Sequence, residues 1–215
     1  MTTPVTTSLT TDDVELLAQE TVAKRYFETT EYRLRHRLHA GGWSDEMVRE
    51  VFQRGAVCAV LPYDPVRDCL VLIEQFRVAA YVASVTEPIL AGSSPWLMEI
   101  VAGVVEKGEP PMDVAVRELK EEANCEALDI FHVMDWHASP GAVNEPLSLY
   151  CARVDSKDAH GVHGLDHEHE DIRVFTVDAA TALEWLESGT LNNATLIIAL
   201  QWFILNHDKL RQRWA

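Results

Sequence analysis

AGVVEKGEPPMDVAVRELKEEANCE, residues Ala102–Glu126, is the stretch whose reading decides the fold of this chain. An apolar strand runs into Gly103, a loop carries Gly108, and Pro110 and Pro111 stand where a helix begins, since proline is tolerated in a first helical turn. Within that helix Glu118 and Glu122 are four apart and share one face, and Glu121, three beyond Glu118, joins them. Like charges at this spacing cost a bare helix a few tenths of a kcal/mol per pair. A hard divalent cation, bound through carboxylate oxygens, offsets that cost. By itself a run such as RELKEE is more commonly the solvated face of a helix. The glycine and the acid placed ahead of it change the reading.

Outward from this stretch, the chain alternates strand and helix signals. Residues 1–12 are Thr-rich, polar and expected to be loosely held. Tyr32, Leu34, His36 and Leu38 alternate with Arg33, Arg35 and Arg37, the period of a half-exposed strand. Ala56–Leu61 and Cys69–Phe76 are apolar runs joined by PYDPVRD, a hairpin signal. Residues 82–95 read as a Gly/Ser/Pro-containing loop, and Trp96–Ala102 as one strand. Further strands are expected at Asp129–Trp136, Leu147–Val154 and Ile172–Val177. Helices are expected at Pro111–Glu122, Ala179–Glu187 and Asn193–Arg211, the last with apolar residues at helical spacing. The pattern implies an α+β or α/β sandwich, with an amino-terminal β annex over residues 1–52 and a main domain over 53–215.

Composition excludes several classes of function. Eighteen basic and 34 acidic residues give a net charge of −16, which argues against a general nucleic-acid or anionic-membrane binder. A small anionic substrate stays possible if bound cations or placed arginines neutralise it locally. Cys58, Cys69, Cys125 and Cys151 show no C-x-x-C spacing, so buried thiols in a reducing compartment are the default. No apolar run approaches the roughly 20 residues of a membrane span. The amino terminus lacks the basic and apolar regions of a signal peptide, so the chain reads as cytoplasmic.

Gly103, five residues, Glu109, seven residues, Arg117-Glu118-Leu119, one residue, Glu121-Glu122 is the spacing of the Nudix box. The chain therefore resembles Nudix hydrolases. It departs from the box at Asn124, where the family has glycine. Asparagine is the best substitute for glycine in a left-handed helix end, so the departure leaves the metal ligands untouched. The likeness reaches from about Asp12 to Ala215 and narrows to bacterial ADP-ribose pyrophosphatases. It is carried by YRLRHRL, VREVFQRG, LPYDPVRD, VLIEQFRVAAY, PWLMEIVAG, ASPGAVNE with Pro140, HGLDHEHEDIRV and the carboxyl-terminal ALQWFILNHDKLRQRWA.

The resemblance implies a Nudix α/β/α sandwich with a mixed sheet and a homodimer in which the annex is exchanged. It implies hydrolysis of ADP-ribose to AMP and ribose 5-phosphate with several Mg²⁺ or Mn²⁺ ions. Carried over residue by residue, Glu118, Glu122, Glu170 and the Ala102 carbonyl match the metal ligands, and Glu168 the general base. Such ions clamp a pyrophosphate and activate the attacking water, whose proton a loop carboxylate removes. Arg77 matches the phosphate arginine, a role that suits a guanidinium's directional donors. Arg54, and Arg49 with Glu50 from the partner chain, match other substrate contacts. Tyr26 and Phe27 match the aromatic pair flanking the adenine, although hairpin core is the plain alternative for both. Ser139, Gly141 and Glu145 match contacts to the terminal ribose, and Val104 a packing contact. Gly103, Glu109, Arg117 and Glu121 support the box itself. Residues 82–95 form a longer loop than the resemblance implies. His167 and His169 read as solvated neighbours, not zinc ligands. Two other functions stay open: hydrolysis of another nucleotide sugar such as GDP-mannose, and a non-catalytic nucleotide sensor. The complete set of Glu118, Glu121, Glu122 and Glu168 argues against the sensor, which needs neither a base nor clustered ligands.

Overall fold

The computed structural model describes residues 8–215. Two compact units are present: the chain up to Gly55 together with His137–Pro146, and Ala56–Trp136 together with Leu147–Ala215.

The first unit is a three-stranded antiparallel sheet of β1 (Val14–Lys24), β2 (Glu28–His36) and β3 (Met47–Gln53), in that order. Thr10 caps the short turn before β1 by accepting the Asp12 N–H. The period-2 run around Tyr32 is β2, which pairs Tyr32 with Gln19 on one side and Arg49 on the other. It stops at His36 rather than Leu38. At its end the guanidinium groups of Arg35, within the strand, and Arg37, just past it, lie over the Trp43 ring, 5.1 and 4.3 Å from its centroid, and close the turn by cation–π contact. β1 has no clean alternation in its sequence. Two register shifts, at Leu16/Ala18 and Thr21/Ala23, explain this, because each flips the face presented by the next residue. His137–Pro146 belongs to this unit through β3. Phe52 donates its N–H to the Ala142 carbonyl at 2.8 Å, and Asn144 accepts the Arg54 N–H at 2.8 Å. A single cut near residue 52 does not include that excursion, because pairing so distant in sequence leaves no local signal.

The second unit comprises β4 (Val57–Asp64), β5 (Cys69–Phe76), α1 (Val78–Thr86), β6 (Trp96–Glu99), β7 (Val101–Val104), α2 (Pro111–Ala123), β8 (Asp129–His137), β9 (Pro146–Arg153), β10 (Gly161–His163), β11 (Ile172–Asp178), α3 (Ala179–Glu187) and α4 (Ala194–Arg213). The sheet runs β10-β11-β5-β4-β9-β8, with β6 added on β5 and β7 on β4. β4 and β9 are parallel, whereas β10 and β11, β11 and β5, β4 and β5, β4 and β7, and β5 and β6 pair antiparallel, so the sheet is mixed.

β4 is buried along its whole length, and its side chains alternate between two apolar clusters. Ala59, Leu61 and Tyr63 face a cluster that includes Ala182 of α3 and Leu196, Leu200 and Phe203 of α4. Cys58 and Val60 face Val114, Ala115 and Leu119 of α2. The result is the helix–sheet–helix sandwich that the resemblance implies. Leu119 is fully buried, and truncation of such a leucine to alanine costs about 2–5 kcal/mol. All four cysteines are buried and free. Among the described residues no helix is long and apolar enough to cross a membrane.

Three expectations need correction. The hairpin at PYDPVRD closes only at its tip, where Tyr63 pairs with Leu70 and Asp64 with Cys69. Beyond the tip the two strands part, and residues 96–104 enter between them. That segment is accordingly two strands rather than one: Trp96–Glu99 pairs with β5 and Val101–Val104 with β4, the change of partner falling at Ile100. The loop assigned to residues 82–95 includes the end of α1 and a short 3-10 turn at Pro88–Leu90. Ala79, Ala80 and Ala83 favour that helix, and the prolines and glycine that suggested a loop all lie after it.

Candidate active site

Helix α2 places the box carboxylates. Val114, Ala115, Leu119 and Ala123 press one face into the core, and Glu122 is carried inward with them, only 3% exposed. The helix ends on Asn124, whose left-handed backbone (φ 49°) returns its N–H to the Leu119 and Lys120 carbonyls. Asparagine thus performs the turn for which the family uses glycine.

Glu122 accepts the backbone N–H of Ala102 at 3.0 Å. Burial drives its carboxyl up to about 8, against the pull of that hydrogen bond, and the charges of Glu118 and Glu170 push it further the same way. Glu118 is also raised, first by burial, with Glu121 and Glu170 adding to it and Arg117 opposing. Gly103 is where the strand passes beneath this group. A β-carbon there would sit 2.1 Å from Glu118 Oε1, so no side chain fits without displacing the carboxylate. Arg117 ties the exposed side of the box together, with Nη1 at 2.8 Å from Glu118 and 2.9 Å from Glu121, and Nε at 3.6 Å from Glu109.

Glu170 comes from the segment between β10 and β11. It accepts the Leu165 N–H at 3.1 Å and lies under Gly164, whose positive φ and lack of a β-carbon admit it. Glu168 stands in a 3-10 turn and is exposed, 3.6 Å from the His167 ring. The segment is therefore not extended, as two acids on one face would require. His169 between them has φ 60°, so Glu168 and Glu170 leave the backbone differently. His167 and His169 are both exposed.

Arg77 follows β5 and is gripped by Glu99 of β6. Its Nη2 donates to Glu99 Oε2 at 2.7 Å, and its Nε lies 3.2 Å from both carboxylate oxygens. Burial works against the guanidinium charge, but Glu99, and behind it Glu122 and Glu170, more than restore it. The same residues that crowd one another with negative charge thus also face Arg77. Three hard oxygen donors with unbalanced charge fit a divalent cation. Among the described residues, however, no three His, Cys, Asp or Glu side chains are grouped so as to hold a metal ion by themselves. The expected ligand set is a group of donors rather than a finished site, in keeping with an ion that completes its shell with water and substrate oxygens.

The remaining expected contacts lie in the first unit, apart from Val104, which is exposed at the end of β7. Phe27 packs on Phe52 with ring centroids 4.7 Å apart, and Arg54 lies over it at 5.4 Å. Tyr26 is 91% exposed, which removes hairpin core as an explanation for that residue. Arg54 and Glu145 are ion-paired at 3.2 Å. Ser139 accepts the Ala142 and Val143 N–H groups in the turn that includes Gly141. Arg49 and Glu50 sit on β3, with Arg49 donating to the Val48 carbonyl.

Sequence reasoning assigned no role to Glu99. Its signal was a lone acid inside the apolar run WLMEIVA, where a charge must find partners.

The NUDIX domain family matches residues 52–195. The chain is 46% identical over 204 residues to the ADP-ribose pyrophosphatase of Escherichia coli (strain K12), covering 95% of this chain and 94% of that protein. It is 40% identical over 203 residues to the ADP-ribose pyrophosphatase of Haemophilus influenzae, covering 94% and 91%. A GDP-mannose pyrophosphatase of Escherichia coli O1:K1 is 31% identical over 161 residues, covering 74% and 78%. A solved structure described as an ADP compounds hydrolase shares the fold with a TM-score of 0.64 at 22% identity, covering 92% of this chain and 97% of the other.

Proposed function

Because the chain belongs to the NUDIX family, we propose that it hydrolyses the pyrophosphate of ADP-ribose to AMP and ribose 5-phosphate with Mg²⁺ or Mn²⁺ bound. The observation that carries this reading is that Glu118 and Glu122, whose carboxyls are both raised, lie in the field of a third acid, Glu170, and that Glu122 and Glu170 also act on the arginine Arg77. A fold gains no stability from such crowding, whereas an anionic pyrophosphate needs cations at that place.

Glu118, Glu122, Glu170 and the Ala102 carbonyl would hold the ions, with Gly103 leaving room for Glu118. Bound there, divalent ions supply positive charge to the bridging phosphates and lower the pKa of an attacking water. Arg77 binds a phosphate oxygen through its guanidinium and orients the pyrophosphate. Glu168, exposed and uncommitted to the core, takes the proton of the attacking water on a carboxylate oxygen. In the first unit, Tyr26 and Phe27 offer ring area for an adenine, and Arg54, Glu145, Ser139 and Gly141 polar contacts for the rest of the nucleotide sugar.

The same reading makes the protein a homodimer sharing its amino-terminal unit, so that Arg49 and Glu50 serve the partner's site. Val14, Leu16, Leu17 and Val22 of β1 remain exposed in the single chain, which supports a covered position for that strand. A Leu16→Asp variant should then sediment as a monomer with a raised KM, and a variant that stays dimeric with unchanged KM removes the shared site.

The deciding experiment offers ADP-ribose, GDP-mannose and diadenosine polyphosphates side by side in Mg²⁺ and identifies the products. AMP and ribose 5-phosphate in clear excess are expected. A preference for GDP-mannose would move the substrate, and no turnover of any would leave a nucleotide sensor.

A further inference from the structure

Glu99 is 6% exposed and its two oxygens receive every donor that reaches them from three different elements. Arg77 on the way out of β5 supplies Nε and Nη2, Gln75 of β5 supplies Nε2 at 3.2 Å, and Asn193 supplies Nδ2 at 3.0 Å. Asn193 is also the cap of α4, its Oδ1 accepting the Leu196 N–H at 3.0 Å. Gln75 and Asn193 therefore fix the carboxylate from behind while Arg77 holds it from in front.

A guanidinium has five N–H groups in a rigid plane. The Glu99 contact occupies the Nε and Nη2 side. Among the described residues, Nη1 donates to nothing, and the guanidinium is only half-buried. Fixing one edge of a planar fork determines where the other edge points. Here the free edge belongs to a group that lies in the field of Glu122 and Glu170.

We propose that Glu99 is a positioning residue. Clamped by Gln75 and by the cap of α4, it holds Arg77 so that the Nη1 edge is presented to a substrate phosphate. This inference rests on the reading of Arg77 as the phosphate arginine. It assigns Glu99 no contact with substrate. A plain buried ion pair would stabilise the fold equally well with the guanidinium turned elsewhere, and that is the alternative the test must separate.

The test is a double-mutant cycle of Glu99→Gln and Arg77→Ala, read as kcat/KM for ADP-ribose, with the Arg77 Nε–H followed by NMR in the metal-free protein. An amide keeps the shape of Glu99 but not its charge, and a misplaced binding group costs on the order of 100-fold. Glu99→Gln alone should lose about that much, add nothing in the Arg77→Ala background, and lose the exchange protection of the Arg77 Nε–H. Asn193→Ser keeps a cap oxygen for Leu196 but removes the donor to Glu99. It should give a smaller loss, again absent without Arg77, and it replaces Glu99→Gln should that variant not fold. Losses that multiply with Arg77→Ala, or variants within twofold of the parent, overturn the proposal. If the parent does not turn over ADP-ribose at all, the functional reading fails instead, and the Arg77 Nε–H signal still decides whether Glu99 holds the guanidinium.

Discussion

Asp64, at the tip between β4 and β5, and Glu122, on α2, are both buried carboxylates, 1% and 3% exposed, yet their surroundings drive them in opposite directions. Burial by itself would raise Asp64. The Ser156 N–H and hydroxyl, at 3.0 and 2.7 Å, together with Arg67 at 2.6 Å, outweigh it and hold the group well below the usual carboxylate range. Glu122 has one backbone N–H and two like charges, and is pushed up. A carboxylate with all its lone pairs served holds a fold together. One buried among its own kind marks a place where something positive is meant to bind.

The largest effect should come from neither. Glu168→Gln should lower kcat by about two to four orders of magnitude, the usual share of a general base, and added Mg²⁺ should not rescue it. Glu170→Gln, measured by the same Mg²⁺ titration, should be partly rescued, because an amide is a weaker ligand for a hard cation. If the two variants exchange behaviour, so do the roles, and if both stay near the parent rate the base must be sought at Glu121. Next, Glu122→Gln should cost about three orders of magnitude in turnover, through several kcal/mol of lost charge stabilisation. The metal-free variant should be at least as stable as the parent at pH 7, since burial and two like charges penalise the carboxylate and the amide still accepts the Ala102 N–H. Turnover, urea unfolding and circular dichroism check this. Full activity in excess chelator would remove the metal assignment.

Asp64→Asn should do the reverse: about 2–4 kcal/mol of stability lost at pH 7, with kcat within about twofold. The sign of its pH dependence follows from a folded pKa below the unfolded one. The stabilisation is fully present above about pH 5 and disappears as pH falls through the unfolded aspartate value of about 3.9 and below. Parent and variant should therefore converge in urea midpoint on acidification, and a constant gap down to pH 3 would refute the account. Smallest of all, Asn124→Gly should change stability by a few tenths of a kcal/mol, because residue 124 already has a left-handed backbone. A loss above about 1 kcal/mol would mean the Asn124 side chain matters in its own right.

The box helix was legible because everything that defines it is local: prolines at its start, acids at helical spacing, an asparagine to end it. β2 and the buried β4 announced themselves by period and by apolar content. β1 did not, since two register shifts erased its alternation. The divergence of β4 and β5 was hidden for another reason: a strand's partner lies elsewhere in the chain, and PYDPVRD describes only the tip. The turn between Glu168 and Glu170 left no mark in the sequence, because His169 adopts a positive φ that few non-glycine residues take.

From sequence alone came the box, its acids at fixed spacing and the order of elements, all properties of neighbours along the chain. Only the tertiary structure decided which carboxylates crowd one another and which are served. Glu170 reaches the field of Glu122 across some fifty residues of chain, and Arg77 meets Glu99 only because β6 pairs with β5. Charge and desolvation depend on distance through space, and the fold alone sets that distance.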